Sequence, residues 1–221
     1  MELKYYVYEI RQSLPKDWPK IDDRIITRLI NEFRTVYIKN QYNQNKSIDK
    51  GLTQTIDLQM EPVDQSTVHY INTDFRILRS RQDVPKIIKT SHRDLVTSIR
   101  NAKIISENYN YITKEDAIYA GNGRVNKKEI FAFIDKDIYY NLYIKLKKEN
   151  PKIAMLTTVS LQAIFEDPLE CIPFHTNSYI DFMEYEYPMT DTIWGYIKAN
   201  ILRDGLGIIQ ATIQDDGKKE V

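Results

Sequence analysis

IFAFIDKDIYYNLYIK, residues 130–145, decides the fold. Two apolar runs, 130–134 and 138–145, flank Asp135-Lys136-Asp137, and a short polar link between two β-favouring runs predicts a hairpin. In the second arm Ile138, Tyr140, Leu142 and Ile144 fall on one face, and Tyr139, Asn141, Tyr143 and Lys145 on the other. A period of two is the geometry of a strand, not of a helix.

The same period recurs on both sides. Downstream, Ile153, Met155, Thr157, Val159, Leu161, Ala163 and Phe165 alternate with their neighbours, which predicts a long strand with one apolar face. Upstream, Ile56, Leu58 and Met60 alternate with Thr55, Asp57 and Gln59 until Pro62 breaks the run. Residues 66–71, 75–79, 86–90 and 95–99 read as shorter strands, with Pro85 favouring an edge. The stretch 106–129 has no clear period, and its Gly121-Asn122-Gly123 signals a turn. The middle of the chain therefore holds roughly seven strands.

Helical spacing appears at the two ends. Tyr6, Val7, Ile10 and Leu14 predict a helix over 2–14, stopped by Pro15. Asp22 or Asp23 caps a longer helix reaching about Gln44. Its apolar stripe is Ile25, Ile26, Leu29, Ile30, Phe33, Val36 and Tyr37, and its polar face carries Arg24, Arg28, Glu32 and Lys39. FEDPLE, 165–170, is a turn or one helical turn, and Thr190 caps a last helix ending near Gly205, or near Ile213 if bent. The fold class is α+β: a mostly antiparallel, β-rich core with two N-terminal helices and one C-terminal helix. The expected organisation is one domain over 1–214, with a helical part (1–47), a β-rich body (48–166) and a C-terminal helical part (167–214), then a flexible tail over 215–221.

Composition narrows the function classes. The 221 residues carry 31 basic and 31 acidic side chains, a net charge of zero, which excludes a histone-like or polyacidic protein. The 42% hydrophobic content suffices for a sizeable core and excludes wholesale disorder. The 31 isoleucines and 16 tyrosines suit strands, and tyrosine also suits interfaces. No run approaches the ~18 apolar residues of a membrane span. The N-terminus lacks the apolar core of a signal peptide, so the expectation is a soluble protein, or one in a particle assembled inside a cell.

No residue pattern announces catalysis. His69, His92 and His175 stand outside any metal-ligand spacing, and Asp94 beside His92 makes no motif. The single cysteine, Cys171, has Glu166, Asp167 and Glu170 nearby, which oppose a thiolate. AGNGRVNKK, 120–128, lacks the spacing of a phosphate-binding loop. The pairs Asp135/Asp137 and Glu166/Asp167 sit where turns favour Asp for backbone reasons. Neither an enzyme nor a cofactor or metal is expected.

Charge is segregated along the chain. Between 76 and 103 stand eight cations (Arg76, Arg79, Arg81, Lys86, Lys89, Arg93, Arg100, Lys103) against Asp83 and Asp94, a net of +6. Between 153 and 197 there is no Lys or Arg, but there are seven carboxylates: Glu166, Asp167, Glu170, Asp181, Glu184, Glu186 and Asp191. Three uses are open: cancellation within one domain, phosphate contact with nucleic acid, or contact between neighbouring copies, where head-to-tail association closes a ring.

An ordered series of segments adds a resemblance. RIITRLINEFRTVYIKNQYNQNKSIDKGLTQTIDLQMEPVD (24–64) leads to DFRILRS, VPKIIK and YAGNGRVNKKEIFAFIDKDIYYN, then AIFEDP and YPMTDTIWGYIKANIL. Over most of residues 20–216 the series resembles a structural ring or connector protein of crAss-like and related tailed bacteriophages, assigned to the head-to-tail interface below the portal. The resemblance implies a non-catalytic virion protein assembled in the bacterial cytoplasm. It implies a homo-oligomeric ring, twelvefold, around the genome channel and against the portal and adjacent ring or tail proteins. It implies no membrane partner, and non-specific contact with packaged double-stranded DNA. Candidate channel or inter-subunit contacts are Arg24, Arg28, Arg34, Lys39, Arg76, Arg79, Arg81, Lys86, Lys89, Glu166, Asp167, Glu184 and Glu186. The alternatives are a tail tube or hub protein, and a non-catalytic DNA-binding factor using the 76–103 block.

Overall fold

A computed structural model describes residues 1–15, 21–43, 49–63, 74–91, 93–103, 107–122, 129–135, 140–151, 156–175 and 181–205. Helix α1 (Leu3–Ser13) turns Tyr6, Val7 and Ile10 inward. Helix α2 (Asp23–Asn43) starts where the Asp22 carboxylate accepts the Arg24 N–H at 2.9 Å, leaving Asp22 as its cap. Helix α4 (Asp191–Asn200) follows Thr190 and gives way to a π-helical turn over Ile201–Gly205.

Seven strands are described: β1 (Gln54–Pro62), β2 (Phe75–Ser80), β3 (Val96–Asn101), β4 (Asn110–Tyr111), β5 (Phe131–Asp135), β6 (Asn141–Lys147) and β7 (Thr158–Ala163). They form one sheet in the order β3-β7-β1-β2-β6-β5-β4. All neighbours are antiparallel except β4 and β5. The sheet curls into a near-barrel: Arg100 and Asn108 bridge its two ends, and the Tyr109 N–H donates to the Ile99 carbonyl at 2.7 Å. Strand β1 serves both halves, since residues 54–59 pair with β7 and residues 60–62 with β2.

The hairpin is as expected, with Asp135 opposite Asn141, and Leu142 and Ile144 face the barrel interior beside Ile56, Leu58, Val159 and Leu161. A second apolar layer joins α1, α2 and α4 to one side of the sheet through Ile88, Leu95 and Ile164. A third, small cluster lies on the opposite side of β2, β5 and β6. There Phe75, Ile77 and Phe133 pack beneath Ala117 of a short helix, α3 (Lys114–Tyr119).

Four expectations differ from the structure. Residues 86–90 make only isolated bridges, Ile87 to Phe165 and Lys89 to Asp94, rather than a strand. The long strand is cut to Thr158–Ala163, because the chain turns at Leu156 and Thr157. Helix α3 falls in the stretch without a period; Thr113 caps it by accepting the Asp116 N–H at 3.1 Å. Finally, the buried face of α2 is rotated from the expected stripe: Val36 is 54% exposed while Arg34 is fully buried. The expected strand at 66–71, with His69, lies outside the described residues, as do His92 and residues 152–155.

Two buried cations hold this framework, and neither has a described carboxylate at ion-pair distance. Arg34 donates through Nε to the Pro188 carbonyl (3.1 Å), through Nη1 to Phe165 (3.0 Å) and through Nη2 to Leu52 (3.3 Å). One planar fork thus joins α2 to the end of β7, the entry to β1 and the segment before α4, satisfying carbonyls that would otherwise be buried unpaired. Lys145 lies beneath α3. Its Nζ donates to the carbonyls of Ala117 (2.6 Å), Ala120 (2.7 Å) and Ile118 (3.4 Å), and sits 4.1 Å from the centre of the Phe75 ring. An ammonium at a helix C-terminus meets orphan carbonyls and the negative end of the dipole. The turn that follows is Gly121, at φ +80°, pressed so close to the Phe75 ring that a Cβ would stand 2.8 Å from it.

Replacing Arg34 by Met leaves three carbonyls without donors and is expected to cost about 3 kcal/mol or more of unfolding free energy in urea. Arg34→Lys should recover little, because an ammonium cannot span the fork's three directions. Full recovery by lysine would remove the fork from the account. For Lys145, burial lowers the pKa from 10.5 to about 8. Between those values the unfolded chain holds the proton and the folded chain does not, so this group adds stability as pH rises from 8 to 10.5. The stability of wild type minus that of Lys145→Met should therefore climb across this window by on the order of 3 kcal/mol. A flat or falling difference contradicts the assignment.

Candidate interaction surfaces

The structure distributes the charged candidates over three environments. Arg34 is the first, and it is a correction: a side chain with no exposed surface cannot line a channel or meet a neighbour. Its charge is spent on backbone carbonyls inside the protein.

The second environment is internal pairing. Lys39 and Glu166 meet at 2.9 Å, joining α2 to the turn after β7. Glu61 of β1 takes Arg79 at 2.7 Å and reaches Arg81 at 3.7 Å. Hydrogen bonding to Glu61 raises the Arg79 pKa further and fixes that guanidinium across the strand pair. Asp167 accepts the Leu169 N–H and the Asn31 amide, both at 2.9 Å, and so caps the 3-10 turn Pro168–Phe174 and ties it to α2. These pairs are partly exposed, so each is worth under about 1 kcal/mol.

The third environment is open surface. Arg24, Arg28, Arg76, Lys86, Lys89, Glu184 and Glu186 are exposed. Arg28 shares a solvent-facing pair with Glu32 one helical turn on. The others make no ion pair among the described residues, and neither do Arg93 or Lys103. Lys86 and Lys89 project from the segment that pairs with Phe165 and Asp94. Glu184 and Glu186 flank the chain's N-terminal end, where the Leu3 N–H donates to the Tyr185 carbonyl and Glu2 bridges Glu186. Two of the expected opposite charges, Lys39 and Glu166, thus cancel within one molecule, while the outermost members of both blocks stay unpaired.

Cys171 and His175, the described cysteine and histidine, are otherwise engaged. Burial pushes the Cys171 thiol well above its ordinary range, and Glu170 and Asp167 add to the rise, so it is a packing residue. His175 Nε2 lies 3.2 Å from the Tyr185 hydroxyl, which also accepts the Gln54 amide. Among the described residues no three His, Cys, Asp or Glu side chains stand close enough to share a metal ion. No described helix is long and apolar enough to cross a membrane.

Sequence reasoning did not find two surface features. One is a cleft of about 350 Å³ between α2 and the side chains of Asp167, Leu169 and Phe182. Arg24 and Arg28 stand on its α2 wall, Leu169 and Phe182 form its apolar side, and Thr27 and Asn31 are also part of its lining. Among the described residues the Thr27 hydroxyl has no hydrogen-bond partner, and the residue is only 6% exposed. The other feature is Tyr119, the last residue of α3, which is 75% exposed.

A family model described as phage tail ring protein 2 matches residues 6–220. That is nearly the whole chain, and the chain belongs to this family of crAss-like phage proteins. No curated protein matches it. Family membership makes it a structural protein of the virion that assembles into oligomers with other phage structural proteins.

Proposed function

We propose that this member of the phage tail ring protein 2 family forms a connector ring beneath the portal, one of the stacked rings through which the genome leaves the head. Twelve copies close the ring, matching the portal's neighbours above and the tail proteins below. The near-barrel is the rigid body of each subunit, and no catalytic step is required of it. The ring is assembled in the cytoplasm of the infected bacterium.

The observation that carries this reading is the unspent charge of both signs on one neutral molecule. Lys86, Lys89, Arg93 and Lys103 have no described ion-pair partner, nor do Glu184 and Glu186. Unlike surfaces on one chain favour a heterologous contact, which closes when its rotation divides the circle. Arg24, Arg28 and Arg76 remain available to the phosphates of DNA passing through the ring, a contact without sequence preference.

A free-standing DNA-binding factor is the weaker reading. Arg79 and Arg81, central to the 76–103 block, are partly neutralised by Glu61. The block also lies on strands and loops rather than on a helix that could enter a groove.

Reversing Lys86 and Lys89 to Glu should weaken self-association in sedimentation, and raising salt should weaken the wild type in the same direction. Adding Glu184→Lys and Glu186→Lys to the reversed chain should restore part of the loss. Electron microscopy of intact virions gives the decisive view: a twelvefold layer of this chain under the portal is expected, and its absence from the particle ends the proposal. Tight, salt-sensitive binding of duplex DNA by the free subunit would favour the factor instead.

A further inference from the structure

We infer that His175, Tyr185 and Gln54 form an acid-sensitive latch on the N-terminal end of α1, and that protonation of His175 opens it. The latch is a property of the single subunit and does not rest on the ring reading.

The 3-10 turn Pro168–Phe174 ends where the His175 N–H donates to the Ile172 carbonyl at 3.1 Å, which sets the imidazole beside the Tyr185 ring. Gln54, at the start of β1, donates through Nε2 to the Pro168 carbonyl (3.1 Å) and to the Tyr185 hydroxyl (2.7 Å). A carbonyl can only accept, so the Gln54 nitrogen, not its oxygen, faces both partners. The Tyr185 oxygen therefore accepts from Gln54. Its own proton is left to point at His175 Nε2, 3.2 Å away and the other polar atom within reach among the described residues. An imidazole nitrogen accepts only without a proton, so His175 is neutral and carries its hydrogen on Nδ1.

Acid upsets this chain of roles. An imidazolium is a donor at both nitrogens. His175 and Gln54 then both donate to the Tyr185 oxygen, and the hydroxyl proton has no acceptor. Tyr185 is only 7% exposed, so little water reaches it, and an orphaned buried donor is a cost to the folded state. Turning the Gln54 amide over would offer Oε1 to the hydroxyl but set it against the Pro168 carbonyl, acceptor to acceptor.

The surrounding groups leave that balance in place. Burial keeps the Cys171 thiol and the Tyr185 phenol neutral. Arg34 of α2 is bound to three carbonyls, and its charge disfavours a second cation. Asp167 serves Asn31 and the Leu169 N–H. Glu170 on the turn, and Asp181, Glu184 and Glu186 on the Tyr185 segment, are exposed, so solvent screens their attraction for an imidazolium. No described carboxylate stands at ion-pair distance from His175.

The Tyr185 backbone is what the latch holds. Its carbonyl accepts the Leu3 N–H at 3.0 Å, the Tyr187 N–H donates to the Met1 carbonyl at 3.1 Å, and Glu2 bridges Glu186. A pairing this short opens locally, ahead of the core, once its side-chain anchor is lost.

The test follows amide hydrogen exchange of the full-length chain between about pH 8 and pH 5, the range in which histidine gains its proton. Protection at the Leu3 and Tyr187 amides should fall about 10-fold across it, the effect of one orphaned buried donor. The sign is set by linkage: the opened chain takes up a proton that the closed latch refuses, so the latch is fully stable above the histidine range and weakens below it. His175→Gln keeps an acceptor and cannot titrate, and Tyr185→Phe has no hydroxyl to orphan, so each should abolish the fall. His69 and His92 are unchanged in both, so the comparison isolates His175. A wild type whose protection falls in step with that of His175→Gln overturns the inference. Imidazole nitrogen shifts of the wild type at neutral pH test it without any variant: a proton on Nδ1 is expected, and a proton on Nε2 overturns the latch.

Discussion

One buried guanidinium holds the architecture together. Arg34 reaches carbonyls at residues 52, 165 and 188, so three chain segments far apart in sequence converge on a single side chain. Hydrophobic burial alone is non-directional. It would press α2 onto the sheet without fixing where the end of β7 and the approach to α4 lie. The fork adds direction, because its five donors are coplanar and each must be satisfied. The desolvation of that charge is a cost, and it is offset only while all three segments are in place. The cleft depends on this indirectly: its two walls are α2 itself and the chain just after Phe165.

The same logic recurs at Lys145 on the other side of the sheet. There a cation collects the carbonyls at the end of α3 and mounts that helix against the sheet. Helix α3 has only six residues, too few to be stable alone. The Thr113 cap serves it at one end and the Lys145 Nζ takes up its carbonyls at the other. The helices on both sides of the sheet are therefore positioned by polar groups serving backbone acceptors, while the barrel interior supplies bulk stability.

What the sequence discloses depends on the physical signal. The hairpin and the 54–62 strand are legible because their inward faces repeat every second residue. Helix α4 is legible from Ile193, Trp194 and Ile197. Helix α3 is not, since six residues carry no measurable period and only Thr113-x-x-Asp116 marks its start. Arg34 was readable in principle. It lies in the row Ile26, Ile30, Arg34, Ile38, Tyr42, each one turn apart and each buried, but charge on a helix ordinarily means a solvated face. The cleft escapes sequence reasoning altogether, because it joins Arg24 and Thr27 to residues about 140 positions later.

The near-closure of the sheet has a consequence for a protein of a family that assembles with other phage structural proteins. Open strand borders invite further strands by backbone pairing, the route to fibres and irreversible clumps. Here the two outermost strands bridge each other at Arg100 and Asn108, and β4 is two residues long. Among the described residues, little free strand border remains for another chain's backbone to extend. Chains crowded together at high local density are thereby steered toward adhering through side chains, which favours finite, reversible contact over runaway polymerisation.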